Sequence, residues 1–273
     1  MDLMRRHIVR SRTAVLMYHD VVDASTPNES GFSGAAPATY KVDAALFGAH
    51  LTAIARSVTR NVRIERDAFE VPNGGVLLTF DDGGVSAATR IAPMLEAHKW
   101  HGLFFVTTDR IGTPGFVSED QVRALWARGH VVGSHTRSHP MRLSSEPRAN
   151  IDAEWRESVG VLSEIVGDRV ITASVPNGAF DNEVVQAAVD AGIRWLFTSD
   201  PTRVWWTCGE CHVVGRYSVR SGTSADWVAA VATGAVLPRY VQWLQWQAKG
   251  VAKRIAGVPY RRARERWSGR HKR

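Results

Sequence analysis

The chain has 273 residues, 44% of them hydrophobic and 22% charged. It is long enough to bury a substantial core without crosslinks, and its balance excludes disordered, collagenous and low-complexity architectures. Its two cysteines, Cys208 and Cys211, exclude a disulfide framework. No apolar run approaches the roughly 18 residues that span a bilayer. Near the start, Ile8 and Val9 stand alone among polar groups, so no signal-peptide core is expected.

The formal net charge of +7 is unevenly placed. Residues 238–273 hold eleven Lys and Arg against one acid, Glu265, and the chain before them is net negative. The basic character therefore marks one segment attracted to something anionic, not a general nucleic-acid-binding surface.

Taken in chain order, residues 13–18 form a short apolar run that predicts a buried strand. A helical pattern over 42–58 follows, then an apolar run over 75–80, a helix over 86–98 and a strand over 102–106. The helix predicted over 118–128 opens with Ser118 and Gln121, a capping box in which hydroxyl and amide satisfy orphan N–H groups. A strand over 130–133, a long helix over 147–166 and a strand over 169–175 come next, then a helix started by Asp181 or Asn182. Strands over 193–198 and 212–219 precede a helix begun by Ser224 and ended at Gly234.

Seven strands with mostly helical connections predict an α/β protein with a parallel sheet, open or closed into a barrel. The polar residues just past the strand ends separate the two. They are His19 and Asp20, Asp81 and Asp82, Thr107 and Thr108, His135 and His139, Asn177, and Asp200. A barrel gathers them on one rim, whereas an open sheet spreads them along an edge. No dinucleotide fingerprint or P-loop supports the open sheet. The expected organisation is an extension over 1–12, a barrel over 13–234 and a basic tail over 235–273.

Two segments carry chemistry. Asp81 and Asp82 are adjacent carboxylates directly after an apolar strand, where a cation or open solvent must compensate their charge. His135 and His139, four residues apart after another strand, can bind one ion from a turn that Pro140 then ends. Either segment alone reads as an ordinary capped or solvated turn; both at strand ends read as one metal site.

At these residues the sequence resembles the polysaccharide deacetylase family, the NodB homology domain of carbohydrate esterase family 4. The resemblance rests on Thr79-Phe-Asp-Asp-Gly83 and Ser134-His-Thr-Arg-Ser-His139, supported by Leu16-Met-Tyr-His-Asp20 and Val175-Pro-Asn-Gly-Ala-Phe180. It implies a distorted (β/α)₇ barrel that removes acetyl groups from N-acetylated sugars. It makes Asp81 the general base and Asp82, His135 and His139 the ligands of one divalent ion, Zn or else Co, Mn or Ni. It places the backbone N–H of Asn177 at the developing oxyanion, with Pro176 and Asn177 lining the substrate.

The chain also departs from the family pattern. Where many members carry an arginine that orients the catalytic Asp, this sequence has Ser174. Arg216 in the last strand is the candidate substitute on the substrate side of the site, against the plainer reading of a surface ion-pair partner. The late Leu-x-His motif that often supplies the acid is missing, and Gly215-Arg-Tyr-Ser-Val219 stands in its place. His19 and His212 are the candidate acids, and His19 is preferred because the first strand ends beside the expected rim.

Cys208-Gly-Glu-Cys211-His212 matches the haem-attachment pattern, but export and a small helical haem domain are not indicated. A structural role is preferred over a redox pair or a metal loop. Trp195, Trp205, Trp206 and Trp227 read as core residues first and sugar-stacking residues second.

In the tail, helical spacing puts Leu244, Val251 and Ile255 near one face of a basic amphipathic helix. It reads either as an anchor on an anionic membrane surface or as a closing helix with a solvated end; nucleic acid is set aside because no reader motif accompanies the charge. The sequence thus predicts a cytoplasmic or membrane-peripheral, metal-dependent N-deacetylase of an N-acetylated glycan or lipid-linked sugar, in exopolysaccharide or glycolipid assembly. The alternatives are an inactive glycan-binding barrel and a hydrolase of a non-sugar amide.

Overall fold

The apolar runs of the central strands are uninterrupted because helices cover them outside and opposing side chains fill the space inside. The computed structural model describes residues 7–58 and 74–255, with side chains as far as 248. Its strands in chain order are β1 (His7–Arg10), β2 (Ala14–Tyr18), β3 (Val21–Val22), β4 (Val42–Asp43), β5 (Val76–Phe80) and β6 (Leu103–Val106). They continue as β7 (Val131–Ser134), β8 (Thr172–Ser174), β9 (Trp195–Phe197), β10 (Val204–Cys208), β11 (Cys211–Val214) and β12 (Tyr217–Ser218). The helices are α1 (Ala35–Ala38), α2 (Ala44–Ser57), α3 (Ala92–Ala97, after a π turn over Ala87–Ile91) and α4 (Glu119–Ala127). After them come α5 (Arg148–Val166), α6 (Asn182–Asp190), α7 (Ala225–Ala232) and α8 (Val236–Ile255).

Parallel pairing runs from β2 through β5, β6, β7, β8 and β9 to β11. β11 and β12 are two halves of one strand. The first half lies against β9, with Val213 opposite Leu196; the second lies against β2, with Tyr217 opposite Leu16. One strand therefore leaves one edge of the sheet and joins the other, which closes a distorted (β/α)₇ barrel. Gly215 and Arg216 occupy the break. A Cβ on Gly215 would lie 2.5 Å from the Asp200 carbonyl oxygen, so only glycine admits this approach.

Besides the short β3–β4 pair, two strands of the main sheet escape sequence reading. β10 folds back antiparallel on β11 through a turn at Gly209 and Glu210, with Cys208 opposite Cys211. β1 then adds antiparallel to β10, Ile8 opposite Trp206, so residues 7–10 are an edge strand of the same sheet. An edge strand buries one face at most, and Ile8 is largely exposed, so its apolar signal is weak.

Period-two alternation decides what enters the barrel. Val15, Leu77, Leu103, Phe105, Val131, Trp195, Phe197 and Val214 form an interior cluster. Their neighbours Leu16, Leu78, Phe80, Phe104 and Val132 pack beneath the helices. Continuing the inward series past the strand ends, 77 leads to Thr79 and Asp81, and 131 leads to Gly133 and His135.

The caps follow their sequence signals. Ser118 and Gln121 form both bonds of the capping box of α4, Asp181 caps α6 and Ser224 caps α7. Helix α8 is tied to the barrel by Gln242, whose amide donates to the Ser218 carbonyl at 2.8 Å and accepts from the Ser218 N–H at 3.2 Å. Residues 256–273, most of the basic tail's charge, lie outside the described residues.

Candidate active site

The inward alternation delivers Asp81, His135 and Ser174 to one end of the barrel interior, where Arg216 meets them from the seam. Arg216 is fully buried. Its Nη1 and Nη2 donate to Asp81 Oδ1 and Oδ2 at 2.6 and 2.8 Å, Nε donates to the Thr198 carbonyl at 3.0 Å, and Nη1 also reaches Thr79 Oγ1 at 3.1 Å. The fork geometry of a guanidinium matches a carboxylate at both oxygens, which a lysine could not do. Its guanidinium lies 5.4 Å from the centre of the Phe105 ring, which shields one side. Arg216 thus stands where the candidate substitute for the missing orienting arginine was expected to act, on Asp81, and being fully buried it lies behind that carboxylate and not on a substrate-facing surface. Burial alone would raise the Asp81 pKa; the Arg216 charge, and then His135, outweigh it and hold the carboxyl below its usual range.

Ser174 ties the two motifs together. The Ser174 carbonyl lies 3.1 Å from His135 Nδ1 and can only accept, so Nδ1 carries the proton. The Ser174 hydroxyl, 2.5 Å from the same nitrogen, accepts as well and donates to Asp81 Oδ1 at 3.3 Å. That tautomer leaves the lone pair of His135 on Nε2, facing Asp82. Burial lowers the His135 pKa against the pull of the two aspartates, which favours the neutral ligand form.

Asp82 Oδ1 lies 3.3 Å from His135 Nε2 and 3.4 Å from His139 Nε2, and the three donor atoms fall within 4.8 Å of one another. These gaps are long for hydrogen bonds. They are what two ligands about 2.1 Å from one ion show at a near-tetrahedral angle, about 3.4 Å apart. Two imidazoles and one carboxylate suit Zn²⁺ or a neighbouring late first-row ion and leave coordination positions open. Among the described residues this is the one group of three or more such donors. Burial would raise the Asp82 pKa, but the two imidazoles facing it hold it well below the ordinary carboxylate range.

The backbone is strained where these residues sit. Of the five non-glycine residues with positive φ among the described residues, four belong to the site: Asp82 at 76°, Thr136 at 64°, His139 at 60° and Asn177 at 54°. Each costs on the order of 1 kcal/mol and persists only where the surroundings over-determine it. At His139 the surroundings include a residue that sequence reasoning missed. Glu154 on α5 is buried, accepts from Ser138 Oγ at 2.6 Å and from Ser138 N at 2.8 Å, and so anchors the turn that ends in His139. Its place on the inner face of a predicted helix, among apolar neighbours, was the available signal.

His19 stands at the end of β2. It lies near Asp81 and Asp82, its ring packs 4.7 Å from the Tyr40 ring, and its Nδ1 is buried with no hydrogen-bond partner. His212 is elsewhere: level with Trp195 at the start of β9, it stacks on that ring at 4.5 Å, on the end of the barrel away from the rim. It is thereby removed as a candidate acid. Pro176 is buried and Asn177 occupies the turn after Ser174. Trp195 and Trp205 are buried against each other, and Trp206 and Trp227 pack on the apolar clusters. Cys208 and Cys211 are buried thiols not joined in a disulfide, and burial, then its neighbour Cys208, pushes the Cys211 thiol up to about 12.

The closed parallel barrel carries on its rim a two-histidine, one-aspartate cluster that could hold a metal ion, beside a second, arginine-held aspartate. Residues 70–196, just under half of the chain, match the model of the polysaccharide deacetylase family, in agreement with the resemblance carried by the motifs. A chitooligosaccharide deacetylase of Rhizobium leguminosarum bv. trifolii is 28% identical over 131 residues, 48% of this chain and 59% of the relative. A chitin deacetylase of Arthroderma benhamiae is 29% identical over 113 residues, 41% of this chain and 30% of the relative. The chain spans about half the length of the curated relatives it matches. In fold it is similar to the Streptococcus pyogenes deacetylase PplD in complex with acetate, with a TM-score of 0.68 at 17% identity over 82% of this chain and 99% of that one. It is likewise similar to IcaB from Ammonifex degensii, with a TM-score of 0.66 at 24% identity over 82% and 98%.

Proposed function

We propose that the chain is a divalent-metal-dependent N-deacetylase that cleaves the acetamide of an N-acetylated sugar in a glycan, releasing acetate and a free amine. The observation that carries this reading is the convergence of Asp82, His135 and His139 beside an Asp81 held at both oxygens. An ion held by those three residues supplies Lewis-acid polarisation of the acyl carbonyl. Asp81 accepts a proton from the attacking water, using a carboxylate lone pair that Arg216 and Ser174 leave free. Arg216 keeps that carboxylate ionised and fixed in orientation. The Asn177 N–H is assigned to the carbonyl oxygen as it gains charge. His19 is assigned the proton for the departing amine, which its nearness to both aspartates and its unpartnered Nδ1 support.

A non-catalytic glycan-binding barrel was suggested by Ser174 and by the missing late histidine. Arg216 supplies from the seam the guanidinium contact that Ser174 lacks, which favours an active site over a decayed one.

The same reading extends to a cytoplasmic, peripheral place on an anionic membrane and to a lipid-linked form of the substrate. Its support is α8, where Val236 and Leu237 are each 72% exposed and Tyr240, Val241, Trp243 and Leu244 are exposed beside them, on a segment that leads into the basic residues of the tail. Among the described residues no helix is long and apolar enough to cross a membrane.

Acetate release from N-acetylated oligosaccharides, measured with the protein stripped of metal and then reloaded with Zn²⁺, tests the activity. Release restored by metal supports it; no release from any acetylated glycan, with one ion bound per chain, contradicts it. Truncation after Gly234 should weaken sedimentation with anionic liposomes while circular dichroism is retained. Equal sedimentation of both forms would remove the membrane surface from the reading.

A further inference from the structure

Two arginine–aromatic pairs flank the site, and the proposed chemistry uses neither. Beside His139, the Phe32 ring lies 4.9 Å from the imidazole and 5.1 Å from the Phe116 ring. The Arg110 guanidinium sits 5.3 Å from the centre of Phe32 and 5.9 Å from that of Phe116. Beside His19, the Tyr40 ring lies 4.7 Å from the imidazole, and Arg220 sits 5.9 Å from the centre of Tyr40. The three rings are half-buried and Arg110 is exposed. Arg90, Arg123, Arg128, Arg137 and Arg148 each face an acid, whereas among the described residues neither Arg110 nor Arg220 does. Arg220 Nε is moreover buried without an acceptor.

The rings are fixed in place. Phe32 and Tyr40 both belong to the segment between β3 and β4. Ser30 Oγ donates to Asp20 at 2.5 Å, and Lys41 Nζ donates to the carbonyls of Ser30 and Pro27 at 2.6 and 2.8 Å. Gly31 N and Ser221 N reach across to Gly115 O and Thr39 O at 2.8 and 2.9 Å. A Cβ on Gly84 would lie 2.0 Å from Asp20 Oδ1, so the barrel's own Asp-Asp-Gly-Gly turn is cut to fit this anchor. A platform ordered before binding loses little entropy on binding. A ring face suits the apolar face of a sugar, and a guanidinium lying over a ring directs its N–H groups outward to a carboxylate or phosphate. Beside a neutral sugar those donors would have no charge to meet.

We infer that Phe32–Arg110 and Tyr40–Arg220 are glycan subsites that select a substrate carrying an anionic group, carboxylate or phosphate, attached to the N-acetylated sugar or to the unit next to it. The inference rests on the deacetylase reading only for what happens between the two subsites.

The test uses the full chain loaded with Zn²⁺ and three probes: neutral acetylated chitotetraose, an N-acetylglucosamine–glucuronate tetrasaccharide and N-acetylglucosamine 1-phosphate. Calorimetry should show tighter binding of at least one anionic probe than of the neutral one, weakening with added salt. Which anionic probe wins tells carboxylate from phosphate. Arg110→Gln and Arg220→Gln should each lower the anionic-to-neutral affinity ratio by about tenfold, the scale of one charge-assisted hydrogen bond, with circular dichroism unchanged. An equal loss on neutral and anionic probes, or no preference in the wild type, overturns the inference. Selective anion binding without acetate release would contradict the deacetylase reading and leave the subsites standing; acetate release without anion selectivity would do the reverse.

Discussion

Asp82, His135 and His139 stand at strand ends, and Cys208, Cys211 and His212 stand around a hairpin turn; both trios are metal-ligand types at close spacing. Only the first converges. At the rim, positive φ at Asp82, Thr136 and His139 turns the side chains toward one point, and Ser174 and Glu154 hold the turns that carry them. At the hairpin the backbone is regular. Cys208 and Cys211 pack in an apolar cluster, while His212 stacks on Trp195. A donor set becomes a site when the backbone accepts strain to aim it and neighbouring polar groups fix each ligand's protonation. Residue type and spacing do not suffice.

The largest effect is expected where the rim's second carboxylate is neutralised. Asp81→Asn keeps shape and removes the proton acceptor, so kcat should fall by roughly 10² to 10⁴ while metal content and fold stay as they are. Near-full activity would move the base elsewhere. Arg216→Met leaves the Asp81 charge buried without its partner. It should cost about 3–5 kcal/mol in chemical unfolding at neutral pH, the range for one half of a buried pair removed. A loss under 1 kcal/mol would mean that solvent reaches Asp81.

Asp200 is a smaller probe. Burial raises its carboxyl to about 6, and its Oδ1 has no partner. A folded-state pKa raised above the unfolded one gives stability that is present below about pH 4 and lost as pH rises through about 6. Asp200→Asn should therefore gain on the wild type between those values, by roughly 1–3 kcal/mol at pH 8 relative to pH 4. A constant difference between the two proteins across that window would contradict the buried, uncompensated placement. The smallest effect belongs to the hairpin. Replacing Cys208 and Cys211 together with serine should leave bound metal unchanged, and iodoacetamide should label the wild-type thiols only on unfolding, since a thiol pushed up to about 12 carries little thiolate.

The barrel was legible because strands such as β2, β5 and β6 are buried on both faces and so read as apolar runs, and because the reacting residues follow the strand ends at once. The capping box at Ser118 was legible because it is local. What the sequence left open, with Arg216 only a candidate partner for the catalytic Asp, was how the closed ring brings distant residues together. Arg216 and Asp81 are far apart in sequence and meet only because β11 breaks at Gly215 and rejoins the sheet at β2. The partner of β1 is likewise a hairpin strand near the other end of the chain. In the sequence His19 is preferred to His212 because it follows the end of an apolar run. Register separates them, since one follows a strand's end and the other opens a strand.

The proposed metal ligands are Asp82, His135 and His139. Elemental analysis of the full chain after zinc loading and desalting should find one ion per chain, and the Cys208/Cys211 double serine variant should match it. His135→Ala, with circular dichroism unchanged, should lose the bound ion. Retention of a full equivalent of metal by a folded His135→Ala protein would contradict the account.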